Sequence, residues 1–356
     1  MSIGGIQTYI RNLIPVLREC GYGVSIYQRS TESFQKTFDD CTVYGVVHDR
    51  NICPQTAEAL LNAAIPHINT HEDILLYGCE TCITRKAPIR TIAIQHGISW
   101  DVPKNEDASF LKFLKQYLRK CLNAWSLCQR IRKVDQLVCV DHNFVNWYRA
   151  ITPYPQVQHI VIPNFCANPS ERPQKNSSPI NIIFARRFFV HRGTRLFAHV
   201  AERLLKEFSD LRVTIAGAGP DETYLHNKLE PFSSVQFITY ESLDSIKIHS
   251  DKDIAVIPTI GSEGTSLSLL EAMAAGCAVV CTNVGGMTNI VLDGYNGLMI
   301  PPEEEALYQA LKKLIEDQDL RARIQKQAYQ TVKDAFSIHI WQEKWKQVIM
   351  TATSHA

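Results

Sequence analysis

Between Ile254 and Cys281 the chain reads as strand, small-residue loop, helix, strand, and this order constrains its fold more than any other stretch. An apolar run over 254–257 leads into Pro258-Thr259-Ile260-Gly261-Ser262-Glu263-Gly264-Thr265-Ser266-Leu267-Ser268-Leu269-Leu270-Glu271-Ala272-Met273-Ala274-Ala275-Gly276, and a second apolar run over 278–281 follows. Two strands joined through one helix make a parallel crossover unit. The same alternation recurs along nearly the whole chain. Strands are expected at 181–185, 212–216, 235–238, 254–258, 278–282 and 298–300, and in an earlier block at 24–28, 42–47, 74–77, 91–95, 136–140 and 159–162. Such a pattern implies an α/β fold of parallel, doubly wound sheets with ligands at the carboxyl ends of the strands.

Residues 166–178 separate the two blocks and are rich in Pro, Ser and Asn, as linkers are. After Pro302, Leu307, Leu311, Leu314 and Ile315 fall at helical spacing. The expected division is therefore a first domain over 1–165, a linker over 166–178, a second domain over 179–336 and a C-terminal helix over 337–356.

The loop of the opening unit carries the chemistry. Thr265 is expected to cap a helix over 266–275, whose first N–H groups would face back into the loop, where an anion can bind. Gly264 lets a ligand approach the backbone. Glu271 lies eight residues beyond Glu263, and at ~1.5 Å per residue it sits roughly 8–10 Å into the helix. Two carboxylates so spaced suit an elongated, hydroxyl-rich ligand with a phosphate between them. The plainer reading is a surface acid on a polar loop.

This run resembles the E-x7-E segment of retaining glycosyltransferases with the GT-B fold, in particular their large family 4. The resemblance implies two facing doubly wound, Rossmann-like domains with a cleft between them, the last helix returning to the first domain. It also implies a nucleotide-sugar donor held mainly by the second domain and a saccharide or lipid-linked acceptor held mainly by the first. By matching position, Glu263 would contact the donor sugar, with the N–H groups of Gly264, Thr265 and Ser266 nearby, and Glu271 would hold the ribose.

Other segments extend the likeness. In Ala185-Arg186-Arg187-Phe188-Phe189-Val190-His191-Arg192-Gly193, Arg186 and Arg192 match the family's two pyrophosphate-binding cations, with Arg187 as the substitute if the register slips by one. Arg192 stands where Lys is common. Two cations near strand ends can stabilise a departing diphosphate; the plainer reading is a solvated basic loop. His96, in Gln95-His96-Gly97, matches a His beside the donor sugar, against the alternative of a structural strand-end His. Gly217-Ala218-Gly219-Pro220 resembles a G-x-G-P turn and is read as structural. Ile162-Pro163-Asn164 matches an I-P-N-G segment with Phe165 in place of Gly, and is read as the hinge and not as chemistry. Gly285-Gly286-Met287-Thr288-Asn289 matches a G-G-x-P-E turn only in part, and its glycines could present N–H groups to phosphate.

Gly4 and Gly5 open an apolar-periodic helix over 6–17 and match the family's first glycine loop, which would add them to the donor site. That loop ordinarily follows a first strand, whereas only Met1-Ser2-Ile3 precede it here. The expectation is that Met1 is not the natural start and that roughly ten to twenty residues lie upstream.

The bulk properties narrow the partners. With 356 residues, 45% of them hydrophobic, the chain has core enough for two domains. A net charge of +1 provides no global field to select nucleic acid. Eleven cysteines, an odd count, favour reduced thiols in a cytoplasm. Cys79-Glu80-Thr81-Cys82 lacks the second ligand pair of a zinc site, and no apolar stretch approaches the ~20 residues that span a bilayer. No metal or other cofactor is expected. From Ala108 to Val134 there is no acid, while Lys112, Lys115, Arg119, Lys120, Arg130, Arg132 and Lys133 accumulate beside an apolar stripe of Phe110, Leu114, Leu118, Cys121, Trp125 and Cys128. Two readings stay open: a domain helix with a basic outer face, or docking of 110–133 to an anionic membrane or lipid-linked acceptor, with the protein then peripheral at the inner face. The activity expected is retaining glycosyl transfer, in cell-surface polysaccharide or glycoconjugate synthesis. The alternatives are a sugar-nucleotide epimerase of the same architecture and a non-catalytic sugar-nucleotide-binding protein. A nicotinamide dehydrogenase is weaker, since no G-x-G-x-x-G follows a first strand.

Overall fold

The computed structural model describes residues 5–38, 41–49, 54–98, 100–101, 110–153, 157–167, 178–240, 245–261 and 263–353. Gly4 and most of the expected linker lie outside them. The chain divides into two compact units. One comprises residues 1–96, 109–163 and 341–356, and the other 97–108 and 164–340.

The second unit holds strands β8 (Ile180–Ala185), β9 (Leu211–Ala216), β10 (Val235–Ile238), β11 (Ile254–Ile257), β12 (Ala278–Thr282) and β13 (Leu298–Ile300), numbered after seven strands of the first unit. They form one parallel sheet in the order β10-β9-β8-β11-β12-β13. Counted from β8, this is the doubly wound order 3-2-1-4-5-6, whose direction reverses between β8 and β11. Strand alternation explains why both faces are covered. Along β8, Ile182 and Phe184 enter one core with Val213, Ile215 and Val256, while Ile183 and Ala185 enter the other with Ile257, Val279 and Cys281. Helices α5 (Thr194–Glu207) and α8 (Glu304–Glu316) cover the first face; α7 (Leu267–Ala274) and α9 (Gln318–Ala335) cover the second.

The first unit opens with α1 (Gly5–Glu19). Its strands divide between two sheets. In one, β1 (Ser25–Ser30) pairs in parallel with β3 (Cys41–Val47), and β2 (Phe34–Phe38) pairs with β3 antiparallel. In the other, β4 (Leu75–Tyr77), β5 (Thr91–Gln95), β6 (Gln136–Cys139) and β7 (Gln158–Val161) are all parallel. The sequence reading did not expect β2. Its residues Phe-Gln-Lys-Thr-Phe are almost all exposed, so it lacks the apolar run by which buried strands are recognised. Helix α2 (Pro54–Ala64) connects the sheets in sequence, and α3 (Phe110–Ile131) and α4 (His142–Ile151) flank β6.

Helix α10 (Ile338–Thr353) ends the described chain, and from Trp341 onward it belongs to the first unit. There Trp345 Nε1 donates to the hydroxyl of Tyr9 at 2.8 Å, and Trp341 meets the Tyr9 ring edge-on at 5.0 Å. Among the described residues no helix is long and apolar enough to cross a membrane.

Candidate functional site

The reversal of strand order sets the site in the second unit. Arg186 follows β8 directly, and Glu263 lies in the loop after β11, so neighbouring strands at the switch point deliver both. Arg186 Nη2 donates to Glu263 Oε2 at 2.5 Å. Arg192 Nη1 donates to the same oxygen, and so does Thr259 Oγ1 at 3.1 Å. One carboxylate oxygen thus gathers two guanidinium groups and a hydroxyl. The side chains of Arg186 and Glu263 are 5% and 11% exposed. Burial pushes the Glu263 carboxyl up, but Arg186 and Arg192 outweigh it and hold the group below the ordinary carboxylate range. Burial draws Arg186 down from its usual value, against the opposing pull of Glu263. Arg186 Nη1 is buried and has no hydrogen-bond partner among the described residues, an uncommon state for a charged donor.

Local backbone chemistry fixes these groups. Arg192 ends a short 3-10 turn over Val190–Arg192, capped by Gly193 at φ +78°. A Cβ on Gly193 would lie 1.8 Å from the Pro258 carbonyl oxygen, so only glycine brings this turn against the end of β11. The Glu263 backbone is held by Gly285-Gly286: Gly286 N donates to Glu263 O at 3.0 Å. That N–H, read from sequence as a phosphate donor, is thereby committed to the loop. Arg187 is exposed and lies over the Phe189 ring, so the register that turns Arg186 inward is the one adopted.

Glu271 sits within α7 in the same unit. Burial pushes its carboxyl up, while a hydrogen bond with Ser245 and the charge of Arg186 pull it down. Burial, and after it the charge of Glu271, pushes the Tyr240 phenol up to about 12. The helix start differs from expectation by one residue. Ser266, not Thr265, is the cap, its hydroxyl accepting from Leu269 N at 3.4 Å, and the helix begins at Leu267. Thr265 is buried, and Asn164 Nδ2 donates to its carbonyl at 2.6 Å. Asn164, read from sequence as a hinge residue only, therefore braces the acid-bearing loop. Long-range side-chain bonding of this kind leaves no local sequence signal.

His96 belongs to the first unit, at the end of β5. Its Nε2 lies 2.9 Å from the Gly78 carbonyl, which requires the N–H there and leaves the lone pair on Nδ1. Burial lowers its basicity, and Tyr9 meets its ring edge-on at 5.3 Å. The carboxyl of Glu80 accepts from the His96 backbone N–H and is pushed up to about 7 by its own burial. Glu80 was not singled out in sequence. Its flanking Cys79 and Cys82 place their sulfurs 3.4 Å apart, and the Cys82 hydrogen bond lowers the Cys79 thiol. Gly5 is the first residue of α1, also in the first unit.

The family model described as Glycosyl transferases group 1 matches residues 168–331. An uncharacterized glycosyltransferase of Methanocaldococcus jannaschii is 27% identical over 173 residues, covering 47% of this chain and 43% of that protein, so the chain spans less than half of that relative's length. A D-inositol 3-phosphate glycosyltransferase of Paenarthrobacter aurescens is 23% identical over 89% of this chain and 86% of its own. Among solved structures, sucrose-phosphate synthase from Thermosynechococcus elongatus superposes with a TM-score of 0.77 at 15% identity, over 99% of this chain and 94% of that one. HepE of Anabaena in complex with UDP superposes with a TM-score of 0.67 at 15% identity, over 98% and 96%. These likenesses show the GT-B fold. Residues 168–331, which carry Arg186, Arg192, Glu263 and Glu271, are a domain of the glycosyl transferases group 1 family.

Proposed function

We propose that the protein is a retaining glycosyltransferase that moves a sugar from a nucleotide-sugar donor to a saccharide or lipid-linked saccharide, in the synthesis of a cell-surface polysaccharide or glycoconjugate. One observation carries this reading: the buried guanidinium of Arg186 is held on one side by Glu263 and keeps Nη1 without a partner. A diphosphate oxygen is the acceptor such a donor fits, and Arg192 doubles the positive charge beside it. In the reaction, the bond from the anomeric carbon to the diphosphate breaks as the acceptor hydroxyl oxygen bonds to that carbon on the same face. The hydroxyl proton passes to the departing phosphate oxygen. Arg186 and Arg192 stabilise the developing charge, so the reading needs no metal. Glu263 positions the donor sugar and sets the geometry of both arginines, and Glu271 holds the ribose. The loop N–H groups from Gly264 to Ser266 lie on the donor side. The unbridged described cysteines suit a reducing cytoplasm.

The UDP held by HepE makes UDP-sugars the first donors to try. Thermal stability is measured against UDP-, GDP-, dTDP- and ADP-sugars, with Glu271→Ala as control. A ligand at a hundred times its Kd adds ~2.7 kcal/mol. A shift with one nucleotide class, lost in the variant, followed by transfer to a saccharide acceptor with EDTA present, is the expected result. A donor converted to its epimer without release of nucleotide, or bound and never consumed, would replace this reading with an epimerase or a non-catalytic binder.

A further inference from the structure

Among the described residues of the first unit, one helix face is exposed. Leu111, Leu114, Leu118, Leu122 and Trp125 follow at steps of three and four residues and so share one face of α3. The sequence reading traces the stripe through Phe110, Leu114, Leu118, Cys121, Trp125 and Cys128 and leaves it open between a domain helix and a docking face. In the structure Leu111 is 76% exposed, and Leu122 and Trp125 are each 64% exposed. The helix is anchored by its last turns instead, where Leu127, Cys128 and Ile131 are buried. Its free part therefore presents large apolar side chains over about 20 Å of length, at 1.5 Å per residue. A contiguous apolar stripe on a soluble surface marks a binding face.

Charge identifies the occupant. Over Phe110–Ile131 the helix carries Lys112, Lys115, Arg119, Lys120 and Arg130 and no acid. Lys112, Lys115 and Arg119 repeat at the same steps one position on, about 100° round the helix, and so line one border of the apolar stripe. A cleft of about 700 Å³ opens beside Trp125 at the base of the helix, lined by Arg130 and Lys133 and also by Glu58. A second copy of this face would bring like charges together along its length, which disfavours self-association. An apolar stripe bordered by cations matches the two layers of an anionic lipid surface, acyl chains beneath and phosphates above. We propose that α3 lies in the plane of an anionic bilayer, its leucines and Trp125 among the acyl chains and its lysines and arginines against the headgroup phosphates. The surface is independent of the donor site, so it stands or falls separately from the transferase reading.

The full chain is sedimented with vesicles of phosphatidylcholine alone and of phosphatidylcholine with 30% phosphatidylglycerol, at low and high salt, alongside Leu118→Glu/Leu122→Glu and Lys115→Glu/Arg119→Glu. The expected result is binding to the anionic vesicles only, weakened by salt and reduced by about tenfold or more in each double variant, with melting temperatures unchanged because the altered side chains are exposed. Trp125→Phe then removes a lipid-dependent blue shift of tryptophan emission. Absence of binding to anionic vesicles, or binding that both variants retain, overturns the proposal. So does a dimer in solution that dissociates in Leu118→Glu/Leu122→Glu, or saturation of the face by an acidic protein with no response to lipid.

Discussion

Arg186 and Arg187 are adjacent cations with opposite fates. Arg186 is buried against Glu263 with one terminal nitrogen unpartnered, whereas Arg187 lies outside on Phe189. Lys at position 186 would keep the charge but present a single point donor in place of the two-nitrogen fork. Arg186→Lys is therefore expected to weaken donor binding at least tenfold, and Arg187→Ala to leave it unchanged, as titration of nucleotide sugar by calorimetry would show. Equal losses in both would refute the register. Glu263 supports a second expectation. Replacing it by Gln leaves two largely buried guanidinium groups without their counter-charge, at a cost of about 3 kcal/mol in denaturant unfolding. Its folded pKa is depressed. Its contribution is thus complete above the unfolded carboxylate value near ~4.3 and disappears as pH falls through the lower folded value. Wild type should lose its advantage over Glu263→Gln across that acid window and keep it at neutral pH. Sequence supplied Arg186, Arg192 and Glu263 because charged residues after apolar strands stand out. It could not show Asn164 or Glu80, whose partners Thr265 and His96 are remote or main-chain.

The glycine pair after β12 acts through backbone alone. Gly285 has φ +56°, and a Cβ there would fall 2.0 Å from the Glu263 carbonyl oxygen. Neither the dihedral nor the clash is relieved by a rotamer change, since the obstacle is main chain. Gly285→Ala is expected to move the Glu263 loop, lowering the melting temperature by several degrees and weakening donor binding without touching a charged group. An unaltered donor affinity would separate this turn from the site. The strands of the second unit were legible almost to the residue, because a parallel sheet covered on both faces needs continuous apolar runs. The first unit was less so. The strand Phe34–Phe38 is exposed, and α3 carries an apolar periodicity that in most helices means burial and here does not. Periodicity reports that a helix has two faces, not what meets them.

The division into units separates the residues of the arginine–glutamate cluster from those around Tyr9. Every residue of the arginine–glutamate cluster belongs to the second unit, while Tyr9, His96, Trp341 and Trp345 belong to the first. The first unit is closed by a segment more than three hundred residues from its first helix: Trp345 reaches Tyr9 with |i−j| of 336. Trp345 is fully buried, and its indole donates to the Tyr9 hydroxyl, while the Tyr9 ring meets His96 edge-on. Trp345→Ala would open a cavity and remove one donor to that hydroxyl, at a cost of about 3–5 kcal/mol. Because the loss falls on the unit that does not carry the arginine cluster, the thermal shift induced by nucleotide sugar should survive in the variant while its baseline melting temperature drops and transfer to acceptor declines. Loss of donor binding along with stability would mean that the two units fold and bind as one, and that the donor site draws on the first unit for its form.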